Sequence, residues 1–401
     1  MSIKKQYGHY LAFSLGNILV SYLLLLFLAN SLSKSEYAQY GVLTSVMSLL
    51  LILVNFGHKE ALFKLSSQNR IQDVARYFGT LQLWLCGCVF FSLLALFFNL
   101  ETGLAALAFL ALYLMTLVSN IHRGLGFYLR DAVSLPLYRG IWLLGCLGVY
   151  CLAGDLDIVG VFAVAALASL MALTIVKGVS TLCSYVQPIS RLTLPFGNPL
   201  LRNFFLLEVA TIAYMKLDVL LLSAYGVKEV QVAEYFFAIQ VFEACVLLTS
   251  PLSYLFFNRY NRRTNDKDSL WRHLWPFVGL LLLVVIFILV GWQLLGPWLL
   301  AWMFPAYEQS HTLISLLLLA LLPMGLSMLL SHWLFARDKE WSYVKICAAG
   351  LLLCSIGNIL LIPHFAGIGA AITRLATECV IALLLICVCY WLLERDKKTT
   401  A

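Results

Sequence analysis

The chain is short of charge. Of its 401 residues only 12% are Asp, Glu, Lys or Arg, while 62% are hydrophobic; soluble domains run nearer one quarter charged. That scarcity excludes an ordinary water-soluble globule and points to a membrane protein. A glycine-rich phosphate loop ending in Lys-Ser/Thr is also missing, so no ATP-hydrolysing part is expected within these residues. No connection between apolar runs is long enough to hold a folded domain. The eleven cysteines lack metal-site companions. Nearly all lie inside apolar segments and read as small buried hydrophobes, not as a disulfide or metal framework. The seven histidines are scattered near span ends without ligand spacing. Neither a metal nor a cofactor is expected.

What is present is a succession of long apolar runs. A spanning helix needs about 20 apolar residues, and twelve segments fit, near 8–31, 38–57, 79–98, 104–120, 134–153, 158–176, 204–224, 233–257, 274–295, 311–334, 343–362 and 367–393. A β-barrel would show shorter alternating segments. The expectation is an all-α integral membrane protein of twelve transmembrane helices. The first run is too long for a signal-peptide core and reads as a retained span.

The net charge of +7 is explained by orientation, not by a nucleic-acid partner. Of the 27 Lys and Arg residues, 23 fall on alternate connections together with the two tails. By the positive-inside rule those sides are cytoplasmic, and so are both termini. The opposite connections hold Lys34 and Lys228 alone. The longest connection, 177–203, carries Pro188, Pro195 and Pro199. It reads as a cytoplasmic crossover between an amino-terminal six-helix lobe (1–176) and a carboxy-terminal one (204–401). The lobes look like an internal repeat: Tyr40 in "EYAQYGVLTSV" falls on Tyr235 in "QVAEYFFAIQV" at a shift of 195, and 158–170 matches 367–379 at a shift of 209. Duplicated halves are common in transporters.

Two cations remain, Lys216 and Arg374, and both sit within membrane segments. With them in the second half are Glu208, Asp218, Glu243 and Glu378. A charge near the bilayer centre costs roughly 2.5–3.5 kcal/mol on insertion scales. The repeat supplies a comparison, because these positions carried back by the two shifts fall on Phe13, Ser21, Leu23, Ser48, Ala165 and Ser169. The first half therefore forms the same helices without the charges, which favours a functional role. Lys216 and Asp218 are two residues apart and point to opposite sides, whereas Arg374 and Glu378 share a face. Depth along the helices pairs Asp218 with Arg374, and Lys216 with Glu243 or Glu378. The expectation is a hydrated cavity that receives an anion at Lys216 and Arg374. In the first half Arg139 is the one candidate intramembrane cation, and Asn17 and Ser21 give the first helix a modest polar face.

"LANSLSKSEYAQYGVLTSVMSLLLILVNFGHKEAL" resembles the opening two helices of polysaccharide-type flippases, and "KLDVLLLSAYGVKEVQVAEYFFAIQVFEACVLLTSPLSYLFFNRYNR" resembles their seventh and eighth. "FPAYEQSHTLISLLLLALLP" and "LIPHFAGIGAAITRLATECV" look like the tenth-helix entry and final hairpin. The resemblance is to the multidrug/oligosaccharidyl-lipid/polysaccharide exporter superfamily, and most of all to its Wzx-type O-antigen branch. It implies two six-helix lobes around a central cavity that opens alternately to each side of a bacterial inner membrane. It implies a cargo of oligosaccharide repeat units on undecaprenyl diphosphate, with membrane lipids and polysaccharide polymerase or chain-length proteins as partners. Lys216, Arg374 and Arg139, with Asp218, Glu208, Glu243 and Glu378, would line the translocation cavity. Two other readings stay open: a cation-coupled small-molecule exporter of the same fold, and an integral-membrane glycan-assembly enzyme. The enzyme is disfavoured by the outer connections, the longest of which (296–312) has Glu308 as its only acid. No catalytic residue is expected.

Overall fold

The computed structural model describes residues 3–67, 71–186, 199–261, 270–337 and 339–400. The middle of the expected crossover, 187–198, and most of the basic loop, 262–269, lie outside the described residues. Among the described residues every regular element is helical. The helices are α1 (Ile3–Ser31), α2 (Lys34–Asn55), α3 (His58–Ser67), α4 (Ile71–Phe98), α5 (Leu100–Gly124), α6 (Tyr128–Ala153), α7 (Ile158–Ile175), α8 (Gly178–Tyr185), α9 (Pro199–Ala224), α10 (Glu229–Asn261), α11 (Leu270–Met303), α12 (His311–Leu319), α13 (Leu321–Ala336) and α14 (Glu340–Thr400).

Among the described residues eight helical stretches are long and apolar enough to cross a membrane. One of them, within α14, breaks at Ala366, whose backbone turns to φ 46°, ψ −127°, and so supplies two crossings. In α1 and α4 the described residues give apolar stretches over 16–31 and 85–98, and α9 is set apart by Glu208, Lys216 and Asp218. Together these give the twelve expected helices of a multi-pass membrane protein. The α14 break falls between the two expected spans, beside Pro363 and Gly367. The short helices α3 and α8 were not expected; their sequences read as connections.

The chain divides into two compact units, Met1–Ile212 and Ala213–Ala401, and the division falls inside α9. In the first unit α5 packs against α4, α6 and α7, and α1 against α6. Its core joins Leu62 and Leu65 of α3 to Phe78 and Leu81 of α4 and Tyr113, Leu117 and Ile121 of α5. In the second unit α13 packs on α10 and α14, and α12 on α10, α11 and α14. The repeat positions behave alike: Tyr40 of α2 meets Phe162 of α7 at 5.6 Å between ring centres, and Tyr235 of α10 lies beside Gly367 of α14.

Helix ends follow local chemistry. Ser33 caps α2 by accepting from the Glu36 amide at 3.2 Å, and Glu36 accepts from the Ser33 amide at 3.0 Å. Each satisfies an amide that the first turn leaves without an intrahelical partner. The other end of α2 closes with Phe56 and Gly57 in left-handed conformations, φ 41° and 75°. A side chain at Gly57 would fall on the Leu201 carbonyl oxygen and lie 2.8 Å from the Phe205 amide nitrogen. Only glycine allows this turn to sit against α9.

Candidate translocation site

The charged residues fall into three separate settings. The most enclosed is in the second unit, where α9, α10 and α14 meet. Arg374 lies 3.9 Å from Asp218 Oδ2 and 3.5 Å, through Nε, from Glu378 Oε1; all three side chains are 1% exposed. Its Nη1 also donates to the backbone carbonyl of Tyr214 at 3.2 Å. The guanidinium lies over the rings of Tyr214 and Phe242, 5.0 and 5.9 Å from their centres. Two tyrosines complete the arrangement: Tyr235 donates to Asp218 Oδ2 at 2.6 Å and Tyr214 to Glu378 Oε1 at 3.2 Å. Asp218 Oδ1 accepts from the Val219 amide at 2.8 Å. A charge withdrawn from water is tolerable only when paired and hydrogen-bonded, and here each has both kinds of partner.

The second setting lies on the other side of α9. Lys216 Nζ donates to Glu243 Oε1 of α10 at 2.8 Å, with the side chains 20% and 29% exposed. Two residues along a helix turn roughly 200°, so Asp218 faces the sealed set and Lys216 faces away from it. Neighbours on α10 divide in the same way, with Phe242 fully buried toward Arg374 and Glu243 toward Lys216. Both expected pairs, Asp218–Arg374 and Lys216 with an acid, are thus present. The sealed set departs from the expectation of a hydrated lining: Arg374 has almost no surface to offer a ligand.

The remaining predicted residues are in the first unit. Arg139 of α6 donates to Asn17 Oδ1 at 3.0 Å and also to the Ser21 hydroxyl, both on α1. It therefore reaches across to the polar face of α1. By the 195-residue shift Ser21 corresponds to Lys216, so each unit places a part-buried cation at this level of its first helix.

Glu208, on the part of α9 that belongs to the first unit, accepts from Asn55 Nδ2 at 2.5 Å. Asn55 is a hub that sequence reading missed. Its Nδ2 also donates to Glu60 at 3.4 Å, and its Oδ1 accepts from Tyr113 at 2.9 Å and from the Lys59 amide at 2.9 Å. The His58 ring donates through Nδ1 to the Asn55 carbonyl at 2.6 Å. Burial holds the His58 pKa down at about 4, although the Asn55 carbonyl acts the other way. Burial also acts to lower Lys59, but the charges of Glu60 and Glu208 outweigh it and raise that lysine.

Tyr214 and Tyr235 were missed as partners of acids because a tyrosine in an apolar run reads as packing. The available signal was the coincidence of Tyr235 with Tyr40 in a chain whose first half lacks the acid.

No protein-family model and no curated protein sequence matches the chain. Its fold does match solved structures. A structure of the lipid II flippase MurJ in an inward closed conformation is similar at a TM-score of 0.75 and 16% identity, covering 95% of this chain and 87% of that one. An inward-facing multidrug resistance MATE family transporter of the MOP superfamily is similar at 0.67 and 13%, covering 100% and 97%. A MATE protein in complex with MaL6 is similar at 0.65 and 11%, covering 97% of each chain. At these identities the likeness establishes a shared fold, that of MOP-superfamily transporters and flippases.

Proposed function

We propose that the chain is a lipid-linked oligosaccharide flippase. It would move undecaprenyl-diphosphate-linked O-antigen or similar repeat units from the inner to the outer leaflet of a bacterial cytoplasmic membrane by alternating access. The observation that carries this reading is the part-exposed Lys216, held on a membrane helix in a fold similar to that of a lipid II flippase. A cargo with an anionic diphosphate, a polar glycan and a lipid tail needs such a contact for its charge, and intramembrane charges mark substrate paths by default. Arg139 with Asn17 and Ser21 adds polar contacts in the first unit. Arg374, Asp218 and Glu378 hold helices together around the path, and Glu208 acts near its cytoplasmic end. The chain itself does no covalent chemistry in this reading. Its partners are membrane lipids, the lipid-linked cargo, and polymerase or chain-length proteins that consume the product.

The test is mass spectrometry of undecaprenyl-diphosphate-linked glycans after deletion of the gene. Accumulation of a complete repeat unit on the inner leaflet is expected. A truncated unit would indicate an assembly enzyme instead, and an unchanged pool a cation-coupled small-molecule exporter.

A further inference from the structure

Within the second unit one ion pair is built differently from the rest. Asp218, Arg374 and Glu378 are 1% exposed and surrounded by tyrosine hydroxyls and backbone. Lys216 and Glu243 are 20% and 29% exposed and, among the described residues, share a single hydrogen bond: one ammonium N–H meets one carboxylate oxygen. A lysine ammonium carries three donors and a carboxylate two oxygens. Among the described residues no further partner accounts for the other two donors of Lys216 or for Oε2 of Glu243. The pair is half-made and open on one side. The Arg374 set already joins α9 to α10, through Tyr235 and Asp218, so that junction does not depend on the part-exposed pair.

We propose that Glu243 is a resident stand-in for the anionic group of the cargo. Resting on the flippase reading, this assigns the acid of the pair a role that the reading alone does not supply. Without cargo, Glu243 neutralises Lys216 and lowers the cost of holding an ammonium within the membrane. When a diphosphate arrives, its oxygens take the two spare donors and then the third, and Glu243 swings away toward water. The displaced carboxylate stays close enough to repel the bound dianion, which hastens release on the far side. Lys216 is the binding group and Glu243 the group that keeps binding reversible.

The experiment compares wild type with Glu243→Gln, Glu243→Asp and Lys216→Gln, each purified full-length in lipid nanodiscs and checked for monodispersity. Two readouts are taken: equilibrium binding of undecaprenyl diphosphate, with inorganic diphosphate as competitor, and the rate of leaflet exchange in vesicles. Removal of the competing charge in E243Q is expected to tighten binding about fivefold while slowing exchange. E243D, one methylene shorter, is expected to shift the same way by less, and K216Q to lose most binding. Inorganic diphosphate is expected to compete, and more effectively in E243Q.

Binding in E243Q and E243D that is unchanged or weaker than wild type would overturn the stand-in role. If K216Q still lost binding in that case, the flippase reading would survive. Lipid binding indifferent to inorganic diphosphate would also overturn it, because recognition would then not involve the charge. Wild type binding no better than an empty nanodisc would remove the flippase reading and this inference together.

Discussion

Removing the Arg374 guanidinium would leave Asp218 and Glu378 facing each other in a space with almost no access to water. Breaking a buried pair from one side costs about 3–5 kcal/mol, since the charge left behind has no solvent to turn to. Arg374→Ala is therefore expected to lower stability by about that much. Lys216→Ala, at a part-exposed pair, is expected to cost about 1 kcal/mol or less. Thermal unfolding in detergent, followed by tryptophan fluorescence, separates the two; equal losses would show that the pairs are alike. His58 makes a prediction about pH. Its folded pKa, about 4, lies below the usual 6.5, so between those values the unfolded chain takes up a proton that the folded chain refuses. The stability is fully present above pH 6.5 and is lost as pH falls through 4, by roughly 3 kcal/mol at most. His58→Gln should flatten the melting temperature across that window.

At the scale of elements, α9 is held by side chains along both halves. Asn55–Glu208 and stacked Phe56–Phe205, 4.3 Å apart, hold its first half; Tyr214–Arg374 and Lys216–Glu243 hold its second. These contacts account for the charge carried by this helix. They also explain why Gly57 has no substitute at the α2–α3 turn. Gly57→Ala is expected to cost about 1–3 kcal/mol for the positive φ, and more for the collision with Leu201 and Phe205. Protease sensitivity near the start of α9 should rise in that variant; an unchanged digestion pattern would mean that the turn and α9 part freely.

The elements also show what a sequence makes readable. Twelve crossings were legible because an apolar run of the right length has one economical structure in a membrane. The pairing of Asp218 with Arg374 was legible from helix phase and depth. The choice of Glu243 over Glu378 for Lys216 was not, since both acids lie at similar depth and the decision rests on side-to-side packing. Asn55 was illegible for the same reason: its four side-chain hydrogen bonds join residues separated by up to 153 positions. The sealing of Arg374 depends on Tyr214, Phe242 and Tyr235, whose rings advertise only packing in a linear reading.

For the whole molecule the distribution of Lys and Arg predicts a membrane orientation that can be tested directly. If the 23 alternating cations face the cytoplasm, the Asn55–Glu208–His58 junction lies at the inner surface. The Asp218–Tyr235 contact then lies in the outer half of the membrane, near the α14 break at Ala366. Along α9 itself the order is Glu208, then Lys216, then Asp218. A reporter that works only in the cytoplasm is expected to be active when fused after Ala401 or within 262–269. It should be silent when inserted beside Asp155 or Lys228. The reversed pattern would place His58 and Asn55 on the outside and overturn the cytoplasmic assignment of the basic connections.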